Sequence, residues 1–170
     1  ANAFLKILEE PPAGLVFILT TQALSSLLPT IVSRTRVLHL RTLPRPKLLT
    51  LLEGVPEDDA QFILHIAHGA PGRVQQLQHD PDLLREHRTI HAKAQSFWKS
   101  SSLRERLQQL KPMHQRGDEA DLFLLHLGLA LREAKSESQR ARAFAQYVRG
   151  RQTNAHRQLL SQQFALAVES

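Results

Sequence analysis

Leu15-Val16-Phe17-Ile18-Leu19 is a continuous apolar run, too short for a helix and rich in β-formers, and it restricts the fold more than any other segment. It predicts a strand buried on both faces, as in a parallel sheet. The backbone donors and acceptors of such a strand need neighbours, and the sequence offers one further candidate, Arg36-Val37-Leu38-His39-Leu40. Residues 1–40 are therefore expected to be the tail of an α/β sheet with two orphan strands, and the chain to be the C-terminal part of a longer protein.

The rest reads as helix. The 170 residues include 30 leucines, and only 5% are aromatic, a balance that favours helices over turn-rich sandwiches. Asn2 to Glu10 places Phe4, Leu5 and Leu8 at helical spacing before Pro11-Pro12 stops the helix. After Leu40, Pro44 and Pro46 mark a boundary. Residues 47–52, 57–68 and 71–79 are expected to form three short helical segments, the first closed by Gly54 and the second by Gly69. Helices are expected at 81–98, 102–110, 119–136, 138–149 and 153–168, joined by short polar connections that imply antiparallel packing. Residues 122–131 are apolar almost all round and should form the central helix. The fold class is thus mostly α: the end of an α/β domain over 1–40, a small three-helix unit over 41–81, and an all-α unit over 82–170.

Charge divides the chain in the same way. Residues 1–81 carry seven Lys/Arg and seven Asp/Glu, whereas residues 82–170 carry fifteen against nine, so the net +6 belongs to the second half. Residues 132–157 hold seven basic side chains against Glu133 and Glu137, and Arg140, Arg142, Arg149 and Arg151 are candidate nucleic-acid contacts. A solvated helical surface explains much of the same run.

Several chemistries lack their residues. Without cysteine there is no disulfide, thiolate zinc site or cysteine nucleophile, and a reducing, cytoplasmic home is expected. No Gly-x-x-x-x-Gly-Lys-Ser/Thr or Gly-x-Gly-x-x-Gly sequence occurs, so no nucleotide is expected to be bound or hydrolysed in cis. No serine has a Gly-x-Ser-x-Gly setting. His65 with His68, and His87 with His91, have metal-compatible spacing, but a third ligand is not evident and no metal is expected. No apolar run is long enough to span a bilayer.

Three pieces in order carry a resemblance: Asn2-Ala3-Phe4-Leu5-Lys6-Ile7-Leu8-Glu9-Glu10-Pro11-Pro12, then Val16-Phe17-Ile18-Leu19-Thr20-Thr21, then Leu28-Pro29-Thr30-Ile31-Val32-Ser33-Arg34. Together they resemble the bacterial clamp-loader ATPase family of DNA polymerase III. The resemblance implies that residues 1–40 end an AAA+ domain, that 41–81 form its helical lid, and that 82–170 form the collar that holds a hetero-pentamer together. It further implies that Thr20 or Thr21 is sensor 1 and that Ser33-Arg34 begins the Ser-Arg-Cys motif, with Thr35 standing where that family usually has cysteine. Arg34 would then reach in trans to the ATP-Mg of a neighbouring subunit as an arginine finger.

Within the family, Gly69-Ala70-Pro71-Gly72-Arg73 resembles the non-hydrolysing delta-prime branch. The ATP-hydrolysing gamma/tau branch has an arginine at the place of Gly72, and Arg73 comes one residue late, turned by about 100° around a helix. Thr153-Asn154-Ala155-His156-Arg157 also resembles the start of the last delta-prime collar helix. The implied role is a stator that itself has no activity, partners gamma/tau and delta subunits, and helps load the sliding clamp on primed DNA. A gamma/tau subunit is the alternative within the family, and a stand-alone basic helical nucleic-acid-binding module is the alternative outside it.

Overall fold

Proline and glycine set the limits of most helices in the computed structural model, which describes residues 7–8, 12–21, 23–134, 138–153 and 155–168. Among these residues the protein is mostly helical and contains no strand. The chain separates into two compact units, Ala1–Arg41 and Thr42–Ser170.

In the first unit, Ile7 and Leu8 are helical, and the rest of the helix expected over 2–10 lies outside the described residues. A 3-10 turn at Leu24–Ser26 precedes α1, Pro29–Val32, which opens with proline in its first turn. The two strands expected at 15–19 and 36–40 are not seen, and both segments lack regular structure. The physical reason is pairing: an apolar strand exists only in a ladder, and among the described residues neither segment has one. Their apolar side chains face outward instead, with Val16 at 81%, Ile18 at 86% and Leu40 at 97% exposure.

The second unit begins with α2, Arg45–Leu49, which tightens into a 3-10 turn at Thr50–Leu52. Helix α3, Glu57–Ala67, starts after Pro56 with Glu57, Asp58 and Asp59 in its first turn, where negative charge complements the helix dipole. It ends on His68 in the left-handed conformation, followed by Gly69 at φ 88°. Gly69 is required there, because a Cβ at that position would stand 2.5 Å from Thr42 Cβ while the Gly69 carbonyl accepts from Leu43 N at 2.8 Å.

Helix α4, Pro71–His79, leads through Asp80 into α5, Pro81–Lys99. The Asp80 carboxylate caps α5 by accepting from the amides of Asp82 and Leu83. Then follow α6 at Leu103–Gln109, capped by the Ser102 hydroxyl, a 3-10 turn at Lys111–His114, α7 at Asp118–Glu133, α8 at Ser138–Arg151 and α9 at Arg157–Ala167.

Two apolar clusters fill this unit, and α7 feeds both. Phe97, Trp98, Leu110, Met113, Leu127, Tyr147 and Phe164 form the larger, while Ile63, Ile66, Val74 and Leu77 join Leu129 in the other. Fully burying each such side chain stabilises the fold by about 1.5–3 kcal/mol. Polar atoms of two large aromatic side chains inside are matched: Trp98 Nε1 donates to the Leu127 carbonyl at 2.9 Å, and the Tyr147 and Ser161 hydroxyls meet at 3.0 Å.

Candidate functional site

Arg34 lies two residues beyond the single turn of α1, after its C-cap Ser33. Ser33 caps that turn through its amide, which donates to the Pro29 carbonyl at 2.9 Å, and its hydroxyl donates to the Thr30 carbonyl at 3.2 Å. Arg34 Nη1 donates to the same Thr30 carbonyl at 3.1 Å, and the side chain is exposed. Thr35 Oγ1 bonds back to the Ile31 carbonyl at 3.0 Å. A cysteine thiol makes such a bond only weakly, so threonine at this position closes the turn by a different contact. Thr20 is exposed, and Thr21 is tied locally, its hydroxyl donating to the Ala23 carbonyl at 3.0 Å. What this arrangement offers chemically is a planar guanidinium that bonds the backbone of its own turn and is exposed at the surface.

The four arginines of the basic run differ in placement. Arg151 is 7% exposed and committed to the fold, donating from Nη1 to the Met113 carbonyl at 3.0 Å and from Nη2 to Asp121 at 3.1 Å. Arg140, half-buried, reaches the Trp98 carbonyl at 3.4 Å. Arg142 and Arg149 are exposed.

Sequence spacing did not reveal a third constellation. His65 from α3, His91 from α5 and Glu133 at the end of α7 bring their ligand-type atoms within 4.8 Å of one another. His91 Nε2 is 3.0 Å from Glu133 Oε2, and His65 Nε2 is 3.1 Å from Glu133 Oε1. Behind His91, its Nδ1 lies 3.2 Å from His126 Nδ1, and His126 Nε2 lies 2.9 Å from His87 Nδ1.

The pairs suggested by spacing are not the ones the fold assembles: His68 caps α3 and is exposed, and His87 reaches His91 only through His126. The available signal was weaker, namely histidines on the inward face of their helices, with His87 and His91 four apart and His126 and Glu133 seven apart.

Burial sets the charge state of this cluster. His126 is fully buried, and burial, followed by His87 and His91, pushes it down to about 3, so the ring is neutral at pH 7. Burial likewise lowers His65 against the opposing pull of Glu133, and lowers His87. Burial would raise Glu133, but the hydrogen bond from Gln95 and the pull of His91 and His65 outweigh it, and the carboxyl lies below its ordinary range.

Comparison with known proteins bears on the first unit most directly. Residues 1–44 match the family model described as DNA polymerase III, delta subunit. Proteins from Mycobacterium bovis and Mycobacterium tuberculosis, both named DNA polymerase III subunit gamma/tau, are 46% identical over 74 residues, covering 40% of this chain and 13% of theirs. These matches support a DNA polymerase III clamp-loader family member. No solved structure matches. The match spans about an eighth of the length of these gamma/tau relatives. Among the described residues no helix is long and apolar enough to cross a membrane.

Proposed function

We propose that the protein is a cytoplasmic, non-hydrolysing stator of a bacterial clamp loader, of the delta-prime type, and that Arg34 is its arginine finger. The observation that carries this reading is the exposure of Arg34 at the end of α1, within the 44 residues that match the family model. A guanidinium presented in this way can cross a subunit interface and offset the charge that develops as a neighbour's ATP is cleaved, an effect of about 10³–10⁵ in rate. Ser33 shapes the turn that presents it, and Thr20 or Thr21 serves as the sensor. ATP-Mg belongs to the neighbour, and this chain binds no nucleotide itself.

Residues 1–40 close the AAA+ domain, 41–81 are the lid and 82–170 the collar through which gamma/tau and delta subunits assemble into a hetero-pentamer. Through that complex the protein acts on the sliding clamp and primed DNA. Of the four candidate arginines, Arg142 and Arg149 are the exposed ones available to DNA. The fold contacts of Arg151 and Arg140 favour the collar over a stand-alone nucleic-acid module, because a phosphate-binding face would need those cations at the surface.

The gamma/tau reading is favoured by the names of the curated relatives. Gly72 at the place of the lid arginine favours delta-prime, with Arg73 exposed on the next position of α4. The purified full-length protein distinguishes them. A delta-prime subunit has no ATPase activity alone, yet is required when clamp loading on primed DNA is reconstituted from separate subunits. ATP hydrolysis by the isolated protein would favour gamma/tau, and loading that proceeds without it would refute both.

A further inference from the structure

We propose that His65, His91 and Glu133 form a binding site for one divalent transition-metal ion of the zinc class. Two imidazoles and one carboxylate are a recurrent ligand set for such ions, typically with a fourth position left to water. The separations of 3.0 and 3.1 Å between the carboxylate oxygens and the two Nε2 atoms are close to the spacing of neighbouring ligands around one tetrahedral ion with bonds of about 2.0–2.2 Å. Glu133 is 35% exposed on its side chain, so the fourth position opens to solvent and an ion can enter.

An independent observation points the same way. His65 Nε2 is buried and makes no hydrogen bond, although it stands 3.1 Å from Glu133 Oε1. A buried ring nitrogen without a partner is costly, and a metal ion at the centre of the three groups would satisfy it.

The groups around the site fit this role. If His91 ligates through Nε2, its Nδ1 carries the proton and donates to His126 Nδ1; His126 then donates from Nε2 to His87 Nδ1. Each ring holds one proton, in keeping with a neutral His126, and the chain fixes the tautomer of His91 as outer partners of metal-bound histidines do. Gln95 Nε2 donates to Glu133 Oε2 at 2.9 Å and orients the carboxylate. The ion would tie α3 to α5 and α7, and so couple the helices that contribute to the two apolar clusters.

The test is equilibrium binding of Zn2+ to the full chain freed of metal by chelation, with Co2+ as a spectroscopic probe. One Zn2+ per chain is expected, and Co2+ should give the visible absorption of a four-coordinate nitrogen and oxygen site. His65→Ala and Glu133→Gln should each weaken Zn2+ binding about a hundredfold, and His126→Ala about tenfold or more by loss of the outer support. His68→Asn, which suits the left-handed position, should bind as the unchanged protein does. Absence of stoichiometric binding, or affinity unchanged in His65→Ala and Glu133→Gln, would overturn the site. Circular dichroism establishes that the variants are folded; should His65→Ala fail, Glu133→Gln at the helix end decides.

Discussion

His126 Nε2 lies 2.9 Å from His87 Nδ1 in the buried seam between α7 and α5, so two rings that are titratable in water share one hydrogen bond whose acceptor nitrogen must carry no proton, and burial disfavours the charged form of each. With His126 held at about 3, the unfolded chain binds a proton here below pH 6.5 while the folded chain does not. Stability is therefore full above pH 6.5 and falls as the pH drops towards 3, by up to about 1.4 kcal/mol per pH unit from this residue. The lowered His65 and His87 act in the same direction. Glu133, also lowered, adds a loss below its ordinary value of 4.5. Urea unfolding in a chelating buffer at pH 7 and pH 5 should give a clearly smaller free energy at pH 5, and equal values would contradict the assignment of neutral rings.

Phe97 is fully buried, with Trp98 edge-on at 5.1 Å and Phe164 stacked at 5.5 Å. Phe97→Ala should destabilise the unit by about 3–5 kcal/mol through lost burial and the cavity left behind. Trp98 is the one tryptophan of the sequence, so its fluorescence reports this core directly. An unfolding midpoint unchanged by the substitution would mean that the cluster is packed otherwise.

Asp80 accepts from the amides of Asp82 and Leu83 and starts the longest helix among the described residues. Asp80→Ala should cost about 1 kcal/mol, whereas Asp80→Asn keeps the acceptor and should cost less. Denaturation curves of the two variants side by side check this, and equal losses would assign the effect to charge rather than to capping.

How much of this was readable beforehand varies with the kind of signal. Helix limits followed from Pro56, Gly69, Pro71 and Pro81, because prolines and glycines act through local backbone geometry that needs no tertiary partner. The Leu122 to Leu131 helix was legible as central from its all-round apolar character, and it contributes Leu127 and Leu129 to different clusters. The strands expected at 15–19 and 36–40 are not seen for the opposite reason: composition reports the tendency to be buried in a sheet, while a strand depends on pairing partners. The assembly of His65, His91 and Glu133 was not legible, since its members come from three helices and their contact depends on packing angles that spacing within one helix does not encode.

The arginine-finger assignment is tested most directly by single-turnover ATP hydrolysis in a reconstituted clamp loader carrying Arg34→Ala or Arg34→Lys. Size-exclusion chromatography of the same samples follows assembly. With Arg34 exposed beyond α1, assembly should be unchanged, while hydrolysis at the adjacent site should fall by about a thousandfold or more, with lysine restoring little because it lacks the planar fork. Turnover equal to that of the unsubstituted complex, with assembly intact, would contradict the account.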